Sequence, residues 1–217
     1  MNTAPGIKDL EESSSFEKVL TLPYNEIGPF VLREIVRPTR PMILTWIALA
    51  VSLFLSVWFW PGVVFNPEHP RVLAGLAAGL ILLPLALVPV HEGAHLIPFM
   101  LSGARDIRLG ADLRQGIIYV TAHRHVAERR LFSWVAFAPF ILITLGLLLS
   151  ILLTPQWWKW VLSLTLFVHT TMCSGDAAIL GFMSSFGRKN VYTWDDADLK
   201  EAYFYTSSDD RKENQQE

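Results

Sequence analysis

Residues 72–95 read VLAGLAAGLILLPLALVPVHEGAH, an uncharged apolar run that ends directly in a pentapeptide with two histidines. The apolar part, 72–90, can cross a hydrocarbon core of about 30 Å, which takes roughly 20 helical residues. Comparable runs occupy 42–60 and 131–153, and a fourth, 161–186, contains one histidine and one aspartate. None shows the two-residue alternation of barrel strands, so the sequence predicts four transmembrane helices.

The composition of the whole chain agrees with a membrane protein. Of its 217 residues 52% are hydrophobic and 18% charged, and the mean hydropathy is +0.35. These values exclude a disordered chain and argue against an ordinary soluble domain. The net charge is −2 and the basic residues are scattered, so we expect no nucleic-acid partner. A single cysteine excludes a disulfide framework and an all-cysteine zinc site.

The apolar runs divide the chain into a cytoplasmic N-terminal segment (1–41), a four-helix transmembrane domain (42–186) and a polar cytoplasmic tail (187–217). In the first segment, 27–36 is an apolar stretch that could form a short helix along the membrane interface. In the tail, Thr193 and Asp196 have the spacing of a weak helix capping box, and we expect the acidic end to be frayed.

The loop between the second and third helices has a different character. Three glycines between 103 and 116 separate the short apolar stretches 107–109 and 117–121, a pattern typical of a small hairpin. The predicted fold is therefore an all-α membrane protein with four transmembrane helices and a β-hairpin in the cytoplasmic loop between helices 2 and 3.

The distribution of basic residues predicts the orientation in the membrane. Of the 18 lysines and arginines, only Arg71 and Lys159 fall on one side when alternate loops are assigned to opposite sides. Because basic loops stay in the cytoplasm, we expect both termini to be cytoplasmic and the protein to be a multi-pass protein of the bacterial inner membrane. Five tryptophans at the predicted outer boundary agree with this orientation, namely Trp58, Trp60, Trp157, Trp158 and Trp160.

The pentapeptide His91-Glu92-Gly93-Ala94-His95 follows the pattern His-Glu-x-x-His. On a helix the two histidines lie about 40° apart and about 6 Å along the axis, so both imidazoles can bind one Zn²⁺ ion. Glu92 is turned to the side of such an ion, where it can take a proton from a zinc-bound water. The alternative is that the two histidines only form hydrogen bonds inside the helix bundle.

A catalytic zinc site needs a third protein ligand and one open position. The candidates are Asp176, Cys173, His169, His123, His125 and His69. Asp176 lies about as far along its helix from the outer boundary as His91 does along its own, so it has the right depth. On a continuous helix His169 would lie about 10 Å nearer the outside, and we expect it not to share the ion. Cys173 is one turn from Asp176 and stays an alternative ligand.

The remaining candidates have simpler expected roles. His123 and His125 are expected at a solvated strand end, and His69 in the outer loop is expected to have no role. His169 is expected to be a polar group in helix packing, with a supporting role beside the ligands left open. Asp176 could instead form an ion pair with an arginine of the 103–130 segment, because buried carboxylates in membranes need partners.

Three motifs together resemble a known family: the pentapeptide 91–95, Phe137-Ala138-Pro139-Phe140 and Ser174-Gly175-Asp176. They look like the putative zincin peptidases, small bacterial four-helix membrane proteins akin to site-2 proteases, over residues 72–186. The resemblance implies a zinc-dependent membrane peptidase with His91, His95 and Asp176 as ligands and Glu92 as general base.

The predicted function is therefore peptide-bond hydrolysis by Zn²⁺ at the cytoplasmic side of the membrane. The expected partners are the lipid bilayer and a membrane-protein or peptide substrate, and the sequence leaves the oligomeric state open. One alternative is a non-catalytic metal-binding scaffold or sensor, with Cys173 closing the fourth coordination position. A di-iron hydroxylase or desaturase is a weaker alternative, since such enzymes need more histidines than the six in this chain.

Overall fold

The structure, a computed structural model, describes residues 5–61, 70–112 and 117–208. Its helices are α1 (Ile7–Glu12), α2 (Ile27–Glu34), α3 (Arg40–Trp58), α4 (Pro70–Ala77), α5 (Leu83–Leu101), α6 (Arg129–Leu153), α7 (Gln156–Met172) and α8 (Ser174–Ser184). Its strands are β1 (Phe16–Pro23), β2 (Ile107–Asp112), β3 (Ile117–Ala122), β4 (Ala127–Glu128), β5 (Val191–Asp196) and β6 (Glu201–Ser207).

Within these described ranges, four helical segments are long and apolar enough to cross a membrane: Arg40–Trp58, Pro70–Leu101, Arg129–Leu153 and Gln156–Ser184. In the first three, at most 33% of the apolar window is buried inside the protein. Their exposed side chains are large and apolar, such as Leu85 and Leu145, so they are suited to contact with lipid tails. The chain is therefore a multi-pass membrane protein, as the sequence predicts.

The second span is longer than the apolar run that predicts it. It joins α4 to α5 through a π-helical turn at Ala78–Leu82 and continues to Leu101, beyond the end of that run at residue 90. Residue 90 marks only the end of the apolar run, and the predicted helical pentapeptide continues from it, since histidine and glutamate are compatible with a helix. The pentapeptide therefore lies inside the span.

The fourth span is not one continuous helix. Helix α7 ends at Met172 and α8 begins at Ser174. Cys173 between them has ψ of −10°, away from the value of about −42° in a regular α-helix. The span is therefore locally irregular at Cys173, although the N–H of Cys173 donates to His169 and the N–H of Ala177 donates to Cys173 across this point.

The predicted hairpin lies between the second and third spans. Strands β2 and β3 pair antiparallel, with Ile107 opposite Ala122, and residues 113–116 of the connection lie outside the described residues. This hairpin is a separate two-stranded sheet.

A second, four-stranded sheet has the order β1-β6-β5-β4 and was not predicted. Its central strands come from the tail, so the predicted capping box at Thr193 and Asp196 is wrong: both residues belong to β5. The aromatic run Tyr203-Phe204-Tyr205 favours a strand, because aromatic residues have a high strand propensity. Pairing of β6 with β1 buries this run. The expected frayed end, at 209–217, lies outside the described residues.

The four-stranded sheet packs on the membrane domain through α8. Met183 of α8 is fully buried against Leu22 of β1, Phe30 of α2 and Phe204 of β6. Helix α2 forms within the stretch predicted to be a short helix and packs against α8. The sheet and α2 therefore lie close to the helix that carries Asp176.

Candidate metal centre

The two histidines of the pentapeptide face the same side of α5. Their ring centroids are 5.0 Å apart, and His91 and His95 are 5% and 7% exposed. Burial of two imidazoles in an apolar helix requires polar partners, because unsatisfied polar groups are costly away from water.

The partner of both histidines is Asp176, in the first turn of α8. Its Oδ2 lies 3.4 Å from Nε2 of His91, and its Oδ1 lies 3.6 Å from Nε2 of His95. Ligand atoms around a tetrahedral zinc at about 2.0 Å are separated by about 3.3 Å, so each of the two histidine–aspartate distances is close to the spacing in such a site. The alternative ion pair of Asp176 with an arginine does not form within the described residues, where its ion pairs are to the two histidines.

The ring of His95 is oriented by a hydrogen bond on its other nitrogen. Its Nδ1–H donates to the backbone carbonyl of Val135 in α6 over 2.9 Å. A carbonyl can only accept, so neutral His95 has its proton on Nδ1 and a free lone pair on the Nε2 that faces Asp176. This is the arrangement that supports metal-binding histidines. The Nδ1 of His91 has no hydrogen-bond partner within the described ranges.

Glu92 lies beside the two histidines and is only partly buried. One of its carboxylate oxygens is within 4.8 Å of a ring nitrogen of each histidine. The carboxylate also accepts a hydrogen bond from the backbone of Val120 in β3. Its position therefore allows either direct metal binding or proton transfer next to a bound metal.

His169 and Cys173 are closer to the centre than the sequence predicts. The ring of His169 is fully buried, 5.6 Å from the ring of His91. Ligand atoms of His91, His169 and Cys173 lie within 4.8 Å of one another, and the Cys173 thiol contacts Nε2 of His169. The expectation that His169 does not share an ion with Asp176 stays a prediction, since within the described residues the donor groups close to His169 are those of His91 and Cys173.

His123 and His125 do not belong to this centre. Ring nitrogen Nδ1 of His123 accepts a hydrogen bond from the backbone N–H of Ala197. Its other nitrogen, Nε2, faces Asp198. Asp198 also pairs with the guanidinium group of Arg108, so this carboxylate already has a cationic partner. His125 hydrogen-bonds to Ser102 over 2.9 Å, and burial lowers the pKa of its imidazole. His69 lies outside the described residues.

The centre opens into a cavity of about 900 Å³ between the membrane helices, the hairpin and the four-stranded sheet. Three residues on its wall were not singled out from the sequence: Tyr24, Thr121 and Asp195. They come from the turn after β1, from β3 and from β5, and no local pattern connects segments so far apart in the chain. Burial raises the pKa of Asp195 to about 6, although Thr121 and His123 partly oppose this shift.

These features define a class: a multi-pass membrane protein in which buried histidines and a carboxylate from two spans meet at a cavity, with donors suited to a divalent metal. Residues 84–191 match the family described as putative zincin peptidase, so about half of the chain is similar to that family. The matched segment includes His91, Glu92, His95 and Asp176, and the resemblance inferred from the sequence is confirmed. No curated protein and no solved structure matches the chain significantly.

Proposed function

We propose that the protein is a zinc-dependent, membrane-embedded peptidase that hydrolyses peptide bonds at or within the cytoplasmic side of the membrane. The observation that carries the proposal is the position of Asp176, whose two oxygens each face the Nε2 atom of one histidine of α5. The family described as putative zincin peptidase matches residues 84–191, which include Asp176 and both histidines.

In this proposal His91, His95 and Asp176 hold the ion. When bound, zinc supplies Lewis acidity toward the carbonyl oxygen of the substrate and toward water. The Val135 carbonyl keeps the ring of His95 in position, because rotation of the ring would break their hydrogen bond. The partial exposure of Asp176, 24% for its side chain, gives the centre access to the cavity.

Glu92 is the general base and then the general acid. Hydrolysis adds water across the peptide C–N bond, so one proton leaves the water and one reaches the amine nitrogen that departs. The Glu92 carboxylate takes the first proton and delivers it to that nitrogen. Its place next to both histidines, on a wall of the cavity, supports this role.

The outer edge of β3 is the proposed binding site for the substrate backbone. In the two-stranded sheet only one edge of β3 pairs with β2. An extended peptide can add to a free strand edge through main-chain hydrogen bonds. The backbone of Val120 interacts with Glu92, so a strand at this edge passes the proposed base. A transmembrane segment of a substrate would have to unwind to bind in this way.

The charge distribution supports a cytoplasmic location for the site. Most basic residues, and both termini, fall on the side of the hairpin when alternate loops are placed on opposite sides. The hairpin follows directly after the span that carries the pentapeptide. We infer a protein of the bacterial inner membrane with a site close to the cytoplasmic leaflet.

A non-catalytic metal-binding scaffold or sensor is the second candidate. The observation that favours it is the alternative donor set of His91, His169 and Cys173, whose ligand atoms are mutually close and buried. A thiolate and two imidazoles form a strong zinc site, and its burial would keep substrate away from the ion.

The decisive experiment compares wild type with Glu92→Gln in the full-length protein. Bound metal is measured by mass spectrometry, and cleavage is followed with a membrane-anchored reporter. We expect Glu92→Gln to retain zinc and to lose cleavage, because the amide binds no proton at neutral pH. Asp198→Asn, at an exposed carboxylate of the β5–β6 turn, is the matched control and should cleave normally. Unchanged cleavage by Glu92→Gln would exclude the mechanism, and zinc without any cleavage would favour the scaffold.

A further inference from the structure

A carboxylate that the proposed chemistry does not use lies on the wall of the cavity. Asp195, near the end of β5, lines the same cavity as the metal centre. It interacts with Thr121 and His123, at the place where His123 forms a single β-bridge with Asp195. Asp195 therefore lies where β3 and the four-stranded sheet meet.

Two buried hydroxyl groups accompany this carboxylate. Tyr24 and Thr121 are 7% and 4% exposed and line the cavity. The Thr121 hydroxyl interacts with both the Tyr24 hydroxyl and the Asp195 carboxylate, although neither hydroxyl makes a hydrogen bond of regular geometry within the described ranges. Buried polar groups are nearly always fully hydrogen-bonded in native proteins, so this connected cluster of two hydroxyls and a carboxylate can accept a further donor that enters the cavity.

The cavity is acidic and lacks a compensating cation. Its described lining contains the carboxylates of Glu92, Asp176 and Asp195 but neither lysine nor arginine. Glu92 and Asp176 face the two histidines of α5. Asp195 faces no such pair of imidazoles; it interacts with the single imidazole of His123, and a buried carboxylate gains most from a cation that hydrogen-bonds to it.

The imidazole next to Asp195 does not supply this cation. His123 accepts a hydrogen bond from Ala197 on Nδ1, and its Nε2 lies 3.6 Å from Asp198. Asp198 is also paired with Arg108. His123 and Arg108 are therefore both engaged by Asp198, on the exposed side of the turn.

We propose that Tyr24, Thr121 and Asp195 form a specificity subsite that binds a lysine or arginine side chain of the peptide substrate. The proposal rests on the proposed peptidase function. The carboxylate accepts hydrogen bonds from the ammonium or guanidinium group, and the two hydroxyls supply further acceptors. A neutral amide donor would leave the charge of Asp195 without compensation.

The substrate residue that binds this subsite should lie close in sequence to the peptide bond that is cleaved. Thr121 directly follows Val120, whose backbone interacts with Glu92. Neighbouring residues of a strand are about 3.3 Å apart, so a substrate paired with β3 presents its basic residue within about three residues of the cleaved bond. The substrate class is thus a membrane protein or peptide with a basic residue next to the cleaved segment.

The test uses the full-length, zinc-loaded protein in lipid nanodiscs and a synthetic peptide library. In the library, Lys, Gln and Glu are placed in turn at each position around a central apolar segment, and products are identified by mass spectrometry. For wild type we expect Lys to be preferred over Gln about tenfold at one position, the scale of a hydrogen-bonded charge pair. In Asp195→Asn this ratio should fall to about one, and in Asp195→Lys Glu should be preferred at the same position.

Two further variants separate the subsite from general effects. Glu17→Gln removes an exposed carboxylate of β1 that does not line the cavity and should keep the wild-type ratio. Tyr24→Phe removes only one hydroxyl and should lower the ratio about threefold. Because the readout is a ratio between peptides, partial misfolding of a variant does not change it.

The outcomes distinguish the two proposals. If wild type cleaves nothing, or if Glu92→Gln cleaves equally well, the proposed function is wrong and the subsite is lost with it. If cleavage depends on Glu92 but shows no basic preference, or if the preference survives Asp195→Asn, the subsite is wrong and the peptidase proposal stands.

Discussion

The Nε2 atom of His91 in α5 lies 3.4 Å from Oδ2 of Asp176 in α8, although the two residues belong to different membrane spans. The pair brings an imidazole and a carboxylate together in an apolar surrounding, where each is costly without a partner. A divalent ion between them would satisfy both groups.

Loss of this carboxylate should reduce zinc binding. We expect Asp176→Asn to bind zinc at least about tenfold more weakly, because the ion loses its anionic ligand. Equilibrium dialysis against a zinc buffer, with bound metal measured by mass spectrometry, checks this. Asp198→Asn should retain its zinc, and equal zinc content in both variants would show that Asp176 is not a ligand.

Replacement of His95 should affect both metal and stability. In His95→Ala the proposed ligand is lost, and the buried carbonyl of Val135 loses its hydrogen bond, which costs about 1–3 kcal/mol. We expect no bound zinc and a lower midpoint of thermal unfolding in detergent. His125→Ala is the comparison, because His125 hydrogen-bonds to Ser102 and lies outside the centre. A His95→Ala protein with normal zinc content would contradict the assignment.

The raised pKa of Asp195 predicts a pH-dependent stability. Its pKa is about 6 in the folded protein and 3.8 when unperturbed, so the folded state binds the proton more tightly. This contribution to stability is present below pH 4 and is lost as the pH rises through about 6. Asp195→Asn should therefore gain about 2–3 kcal/mol relative to wild type between pH 4 and pH 8. Unfolding midpoints at both pH values test this, and parallel midpoints would refute it.

Met183 should stabilise the contact between the membrane domain and the four-stranded sheet. It is fully buried against both, so Met183→Ala leaves a cavity and should cost about 2–5 kcal/mol. Leu145→Ala, at a side chain that is 61% exposed on α6, should cost much less. Thermal unfolding of the two variants in the same detergent gives the comparison, and similar losses would argue against the anchoring role of Met183.

The membrane spans and the pentapeptide could be recognised in the sequence because their signals are local. A run such as 131–153 has to be helical in lipid, where each backbone polar group needs a partner within the segment. The spacing of His91 and His95 determines by itself that they share a helix face. The choice of Asp176 also came from the sequence, since depth along a helix follows from a count of residues.

Only the tertiary structure decided which distant segments meet. Strand β1 pairs with β6 so that Phe16 lies opposite Ser207, and no local pattern specifies a partner so far along the chain. The packing of α7 against α5 brings His169 next to His91, which a count of residues along one helix does not reveal. The physical reason is that the hydrophobic pattern of a segment indicates which face is buried and how deep each residue lies in the membrane. Strand pairing and contacts between helices depend instead on packing between segments that are far apart in the chain, and bringing such segments together closes long loops.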